Sequence, residues 1–347
     1  MAQINKPNLY FNTKIYTGNG SAGLSQTGVG FQPDWIWFKN RSQTASHNVM
    51  DAVRGSSKTL LTDSTTKEIT DTDRLQSFDS DGFTVGANVH ENGNGNAMVA
   101  WNWKANGTGS SNSDGTITST ASASTTAGFS IVRYTATGSN ATVGHSLGAV
   151  PKMIIVKDTA DNGGSNWAVY HASLGNTKRL GLNLNEGQST DSAAWNNTTP
   201  TSSVFSIGTS SLVNNVGNAT IAYCFAEKKG YSKFGIYTGN GNSNGAFIYL
   251  GFKPSFFMLK RTDANGDKWR MWDNKRSPFN LVDDSLAPNE ASAEYDDSSV
   301  SLDFLSNGVK MRMSGGGAGN GSGESYIYMA FAEEPIVGTN NVAATAK

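Results

Sequence analysis

Short apolar runs separated by polar turns recur along the whole 347-residue chain. Lys14–Thr17 alternates apolar and polar side chains, which is typical of a strand with one buried face. Trp35–Phe38 and Met153–Val156 are continuous apolar runs, which favour central strands covered on both faces. Each of these two runs opens just after a proline, and the turns are rich in glycine, asparagine and serine. With no helical periodicity along the chain, the pattern predicts an all-β protein.

The same order of segments occurs three times. The copies begin at Phe11, Phe129 and Phe234, and the prolines that precede their central strands are Pro33, Pro151 and Pro254. The closing strands are Ala97–Trp103, Ala219–Phe225 and Tyr326–Phe331. A period of about 100 residues is too long for a stacked solenoid repeat and long enough for a unit to bury its own core. We therefore predict three tandem antiparallel β-sandwiches of jelly-roll or lectin-like type, each an independent domain.

The predicted boundaries follow from changes in composition. The three sandwich repeats occupy residues 1–106, 128–229 and 230–335. Between the first two lies the Gly/Ser/Thr-rich stretch 107–127, which has too few apolar residues for a core and is predicted to be a linker or an exposed extended strand. Residues 336–347 are predicted to form a C-terminal tail.

Charge and cysteine content exclude several classes of protein. There are 27 Lys and Arg residues against 28 Asp and Glu, a formal net charge of −1, so the basic excess typical of nucleic-acid and anionic-membrane binding is missing. The single cysteine, Cys224, excludes a disulfide framework and a cysteine zinc site. No apolar run approaches the length of a membrane span. We expect neither nucleic-acid binding nor membrane insertion.

Carboxylate patterns give no convincing metal or catalytic site. Asp263, Asn265 and Asp267 have the spacing that opens a calcium loop, but the residue at the twelfth position is Asn274, not the required glutamate. A plain hairpin turn is the preferred interpretation. Adjacent acidic pairs such as Asp283-Asp284 lie in turn-like segments and do not recur in the other repeats. The sequence therefore predicts no metal, no cofactor and no enzymatic activity.

Aromatic residues are the most suggestive candidates for binding. Eight tryptophans are many for a chain that is only 37% hydrophobic, and those inside apolar strands are expected to fill cores. Trp167, Trp195 and Trp269 instead lie among polar neighbours, which favours an exposed surface on which sugar rings stack. Sugar hydroxyls also form hydrogen bonds with asparagine side chains. The predicted glycan-binding residues are Trp167, Trp195, Trp269 and Asn265.

Several motifs resemble a domain that recurs in tail-fibre-like and other structural proteins of marine bacteriophages. The segments that carry the resemblance are Gly30–Arg41, His47–Gly55, Ser130–Gly138, Tyr223–Glu227 and Asp273–Arg276. It extends over about residues 9–335. The resemblance implies a virion component with concanavalin- or jelly-roll-like sandwiches, often assigned to host recognition. It implies no catalytic residues.

These observations predict a protein of the virion surface, of tail-fibre or appendage type, that binds host surface polysaccharide. We expect it to contact other virion proteins and to form a homo-oligomer, with a trimer as the simplest choice. The alternative is a capsid or tail decoration protein with a purely structural role and no ligand. A polysaccharide depolymerase is the third hypothesis.

Overall fold

The computed structural model describes residues 3–161, 163–315, 317, 319–337 and 343–345. Regular structure in these residues is almost entirely antiparallel β-sheet, which confirms the all-β prediction. The exceptions are two short helices, α1 (Val89–Asn92) and α2 (Ser211–Asn214), and the 3₁₀ turns Pro7–Leu9 and Ser298–Val300. Of the predicted C-terminal tail, residues 338–342 and 346–347 lie outside the described residues.

The three repeats are called units 1, 2 and 3 in chain order. The strands of unit 1 are β1 (Phe11–Thr17), β2 (Leu24–Thr27), β3 (Trp35–Asn40), β4 (Asn48–Asp51), β5 (Lys58–Leu61), β6 (Ile69–Thr70), β7 (Leu75–Asp79), β8 (Gly82–Val85) and β9 (Ala97–Trp103). They form a six-stranded sheet, in the order β1-β9-β3-β4-β5-β6, and a three-stranded sheet, β2-β8-β7.

Unit 2 repeats this plan with an eight-stranded sheet, β10-β11-β12-β19-β14-β15-β16-β17, and a two-stranded sheet, β13-β18. Its strands are β10 (Ser110–Asn112), β11 (Ser119–Ser124), β12 (Phe129–Thr135), β13 (Ala141–Gly144), β14 (Met153–Asp158), β15 (Ala168–His171), β16 (Lys178–Gly181), β17 (Ser189–Thr190), β18 (Val204–Ile207) and β19 (Ala219–Phe225).

Unit 3 has a four-stranded sheet, β20-β28-β22-β23, a three-stranded sheet, β21-β27-β26, and the strand pair β24-β25. Its strands are β20 (Ser232–Thr238), β21 (Phe247–Tyr249), β22 (Phe252–Arg261), β23 (Arg270–Asp273), β24 (Asp284–Ser285), β25 (Tyr295–Asp296), β26 (Leu302–Leu305), β27 (Gly308–Met311) and β28 (Ser325–Pro335).

Each unit is a sandwich with an apolar cluster between its two sheets. In β3 the side chains alternate between two clusters: Ile36 and Phe38 face the small sheet of unit 1, whereas Trp35 and Trp37 face the opposite way. Because both faces of the strand are covered, its apolar run is continuous, as predicted.

The opposite faces of the three large sheets meet in one central cluster. Rings from different units are in direct contact: Trp35 and Tyr223 have centroids 4.6 Å apart, Phe11 and Phe331 5.1 Å, and Phe225 and Phe331 6.1 Å. The prediction that each unit is independent therefore needs correction. Every unit has its own inner core, but the second apolar face of its large sheet is buried only by the other two units.

The predicted linker also needs correction. Residues 107–127 contain β10 and β11, and β11 pairs with β12 along five residues to extend the large sheet of unit 2. Ile117 and Ala121 are buried in the core of that unit. The small side chains of this stretch suit a peripheral strand, so the alternative of an extended strand describes it better than a linker.

Candidate functional site

The three tryptophans predicted to bind glycans are buried, each with an exposed fraction of 1%. The indole N–H of Trp167 donates to Leu61 O at 2.9 Å, and that of Trp269 donates to Gly181 O at 2.9 Å. Both bonds join neighbouring units. Trp195 lies in the core of unit 2 and donates to Lys178 O. None of the three offers a surface for sugar stacking, and this part of the prediction is wrong.

Asn265, the fourth predicted residue, is exposed but lies apart from these rings, at the boundary of units 2 and 3. Its Oδ1 accepts a hydrogen bond from Gly187 N at 2.8 Å. It lines a shallow pocket of about 340 Å³ with Lys178 and Asp263. The structure therefore does not bring the four predicted residues together in one site.

Three equivalent backbone hydrogen bonds close the units into a ring. Glu68 N of unit 1 donates to Thr159 O of unit 2 at 3.0 Å, and Gln188 N of unit 2 donates to Thr262 O of unit 3 at 2.8 Å. Glu294 N of unit 3 donates to Arg41 O of unit 1 at 3.0 Å. Each unit donates one of these equivalent hydrogen bonds and accepts another, so the three units are related by pseudo-threefold symmetry.

Buried charges stabilise two of these interfaces. The Asp51 carboxylate pairs with Arg54 in unit 1 and accepts from Tyr223 Oη of unit 2 at 2.8 Å. In unit 3 the equivalent carboxylate, Asp273, pairs with Arg276 and accepts from Trp101 Nε1 of unit 1 at 3.0 Å. Arg276 holds the pKa of Asp273 below its usual range despite burial. The hydrogen bonds from Tyr223 and Trp101 to these carboxylates fix the position of each unit relative to its neighbour.

The equivalent position in unit 2 is His171, which differs from both aspartates. Its Nε2 lies 3.3 Å from Tyr328 O of unit 3. Burial lowers the pKa of this imidazole to about 4, so the ring is neutral at physiological pH and donates its N–H to the carbonyl. The interface between units 2 and 3 thus has a neutral contact where the other two have a charged one.

Sequence reasoning missed three buried lysines that occupy equivalent places at these interfaces. Lys39 donates to Ala291 O at 3.1 Å, Lys157 to Thr65 O at 2.8 Å, and Lys260 to Asn185 O at 3.4 Å. Each also donates to a carbonyl of its own unit. Burial lowers the pKa of all three to about 8. The signal was present, because a lysine ends the central apolar run in every repeat.

These lysines predict an unusual dependence of stability on alkaline pH. The pKa of an unfolded lysine is near its ordinary value of 10.5, so between about pH 8 and 9.5 the unfolded chain binds more protons than the folded one. The unfolding free energy should therefore rise over this range, as measured by urea denaturation. Above about pH 10 buried tyrosines such as Tyr223, whose pKa is raised by burial, reverse the trend.

The variant Lys157→Met is the matched test of this dependence. It removes one buried amine, so the rise in unfolding free energy should be smaller than in the wild type. Lys67→Met changes an exposed lysine and should leave the rise intact. An identical pH profile in the Lys157→Met protein would contradict the assignment.

A cleft of about 880 Å³ lies between units 2 and 3 and is named here the basic cleft. One wall is the loop Gly148–Lys152 of unit 2 and another is Tyr249–Gly251 of unit 3. The turn that joins the two units, residues 227–233, forms its edge, and Gln3 and Ile336 also line it. Tyr249 has 55% of its surface exposed and Val150 39%, so part of the lining is apolar and open to solvent.

A tight turn positions the lysines at the edge of the basic cleft. Tyr231 N donates to Lys228 O at 3.0 Å, and Gly230, with φ of 74°, lies at the third position, where a type II turn needs positive φ. Lys229 therefore lies at the exposed tip of the turn. The Tyr231 ring is buried in the central cluster and anchors the turn.

The basic cleft has a local excess of positive charge. Lys152, Lys228, Lys229 and Lys233 line it with one acidic residue, Glu227, whose carboxylate lies 3.9 Å from Lys233 Nζ. Partial burial lowers the pKa of Lys228. Within the part of the chain that the structure describes, Lys152, Lys228 and Lys229 form no ion pair.

The corresponding place in unit 1 has a different character. A pocket of about 450 Å³ lies between Gly30–Gln32 and the residues after β9, and its one lysine, Lys104, is accompanied by Asp34. Burial raises the pKa of Asp34. The basic excess of the cleft between units 2 and 3 is therefore not shared by this pocket of unit 1.

Three carboxylates come together in unit 3. Asp284 and Asp296 are paired across β24 and β25. One carboxylate oxygen from each of Asp283, Asp284 and Asp296 lies within 4.8 Å of the other two. Arg41 Nη2 of unit 1 lies 3.9 Å from Asp284 and offsets part of this charge. The cluster borders the interface between units 3 and 1, and we assign it no ligand.

None of the helices in the described residues is long and apolar enough to cross a membrane.

Comparison with known proteins identifies the family. Searches of curated proteins and of solved structures returned no match. A family model described as a domain of unknown function, DUF7483, matches residues 6–335, which include all three units and the ring that they form. The chain therefore belongs to the DUF7483 family.

Proposed function

We propose that this protein is a non-enzymatic structural component of a bacteriophage virion surface, of tail-fibre or appendage type, that contacts glycans on the host. The observation that carries the proposal is the closed ring of three sandwiches around one aromatic core. The virion context comes from the resemblance of residues 9–335 to repeats of phage structural proteins. Ring closure supports it because a protein on a particle must stay folded in the environment for long periods.

The ring favours such persistence. Residues that are far apart in sequence form the central cluster, as in the contact between Phe11 and Phe331. Separating one unit exposes two interfaces at once, since each unit contacts both of the others. The loss of one unit from the ring therefore costs the burial at two interfaces, which raises the barrier to unfolding.

The contact with glycans is assigned to the boundary between units 2 and 3 and not to tryptophans. The exposed Tyr249 ring in the basic cleft provides the apolar surface that the buried Trp167 and Trp269 do not. Individual sites of this kind are weak, and several copies on one particle supply the avidity.

Labelling of purified particles tests the location. Antibodies raised against the recombinant protein should decorate intact particles of the encoding phage at one kind of position in electron micrographs. Mass spectrometry of particles purified by density gradient should detect the chain in constant ratio to the major capsid protein. Detection in the lysate but not in the particles would overturn the proposal.

A decoration protein without a ligand is the second candidate. The observation that favours it is the burial of all eight tryptophans, each less than 2% exposed, which leaves the ring with an indole-free surface. Soluble protein added in excess separates the two candidates. It should slow adsorption of the phage to host cells if the protein binds a host glycan, and should leave adsorption unchanged if the role is only structural.

A further inference from the structure

The basic cleft between units 2 and 3 has features that select a particular kind of ligand. From its lining we infer that it binds acidic oligosaccharides, in which negatively charged groups lie on sugar rings. The inference rests on the proposed function and specifies the class of glycan. It is carried by three properties of the cleft: its charge, its exposed aromatic ring and its size.

Charge is the first property. In a chain with a formal net charge of −1, four lysines gathered around one glutamate form a local exception. The side chain of Lys228 packs across Gly128, where a Cβ atom would lie 2.8 Å from Lys228 Cε. Lys229 projects from the tip of the turn and is exposed. Bringing like charges together costs free energy, which a bound anion offsets.

The exposed ring is the second property. Tyr249 stands on β21 with more than half of its surface open, while the neighbouring Leu250 is buried in the core of unit 3. An aromatic ring on a fixed strand offers a flat apolar surface to the C–H face of a sugar. Val150 and Ala149 extend this surface on the opposite wall.

Size is the third property. A volume of about 880 Å³ lies within the range of sites that enclose an organic ligand, and it exceeds what a single inorganic anion fills. An anionic group near the lysines, together with a ring against Tyr249, uses both parts of the lining. Nucleic acid fits less well, because the basic region is confined to one junction of a chain without overall positive charge.

Calorimetric titration of the full-length protein tests the inference. The probes are tetragalacturonate, which carries carboxylates, a heparin-derived tetrasaccharide, which carries sulfates, and neutral maltotetraose. At least one acidic probe should bind, more weakly at high salt, and maltotetraose should not. Inorganic sulfate alone should bind much more weakly than the acidic tetrasaccharide, because it does not reach the ring.

Paired variants locate the binding. Lys228→Glu/Lys229→Glu should weaken binding of the acidic probe by about tenfold or more, as loss of a charge-assisted hydrogen bond does. Lys14→Glu/Lys67→Glu makes the same change in net charge outside the cleft and should have little effect. Tyr249→Ala should also weaken binding while Tyr249→Phe preserves it, and Phe279→Ala, which removes another highly exposed ring, should not matter.

Specific results would overturn the inference. These are failure of both acidic probes to bind, equal binding of maltotetraose, or equal losses in the two pairs of lysine variants. Circular dichroism and thermal unfolding of each variant identify any loss that comes from misfolding, and Tyr249→Phe provides a conservative replacement. If the probes fail but antibodies still label the particles, only the ligand assignment is wrong; if labelling fails, the proposed function itself is wrong.

Discussion

Residues 107–229, produced without the rest of the chain, are expected to associate into trimers or larger assemblies. This fragment keeps the core of unit 2 but exposes the face that the other units bury. That face includes Phe129, Ile131, Tyr223 and Phe225, and burial of each such side chain is worth about 1.5–3 kcal/mol. Light scattering coupled to size-exclusion chromatography measures the mass of the fragment beside that of the full chain.

A variant of the fragment supplies the control. Tyr223→Lys/Phe225→Lys places charges on the exposed face and should give a smaller species. A trimer would show that unit 2 satisfies on both sides the contacts that units 1 and 3 normally make. A monomeric fragment that unfolds cooperatively at the full protein's midpoint would contradict the prediction, and the units would then be independent domains after all.

Replacing Asp273 by alanine is expected to lower the unfolding free energy by about 3–5 kcal/mol, the usual cost of breaking a buried ion pair. The carboxylate is fully buried and accepts hydrogen bonds from Arg276, from the backbone N–H of Lys275 and from Trp101 of unit 1. Its removal takes away the closest carboxylate partner of the buried Arg276, which keeps Glu294 and Met271 O, and leaves the Trp101 N–H without its acceptor. Denaturation by guanidinium chloride measures the loss.

Arg312→Ala is the control for this variant. It breaks the ion pair with Asp303, but 38% of the Arg312 side chain is exposed, so the expected loss is at most about 1 kcal/mol. Acid gives a further check. Because the folded pKa of Asp273 is lowered, its contribution is present above the unfolded pKa and is lost as pH falls through the folded value. Equal losses in the two variants would contradict the assignment.

The sequence was sufficient to predict the antiparallel sheets and the burial of the tryptophans in the apolar strands. Continuous runs such as Trp35–Phe38 indicated strands covered on both faces, and the structure confirms this. The run contains no information about what covers each face. One side of β3 meets the small sheet of its own unit and the other meets Tyr223, nearly two hundred residues away. The shared core therefore could not be deduced from local patterning.

The prediction that Trp167, Trp195 and Trp269 are exposed was wrong, and for Trp167 and Trp269 the reason is related. Trp167 and Trp269 have polar neighbours in sequence because they lie where loops of two units meet. Their N–H groups bond to Leu61 O and Gly181 O, acceptors that are remote in the chain. Polar flanks therefore indicated an interface between units and not contact with solvent. The basic cleft was missed because Lys228 and Gly148–Lys152 come together only when the sheet of unit 2 forms.

The histidine at the position of the two interface aspartates shows what joining the units in one polypeptide allows. In a ring of three identical chains, any substitution occurs three times and must be compatible with all three interfaces. Here His171 occupies the aspartate position at one interface, and the charged pairs are present at the other two. Joining the units in one polypeptide thus allows each interface to differ in sequence from the others. The basic cleft lies at the junction of units 2 and 3, so under the proposed function the avidity for glycans depends on how many copies of the chain the particle carries.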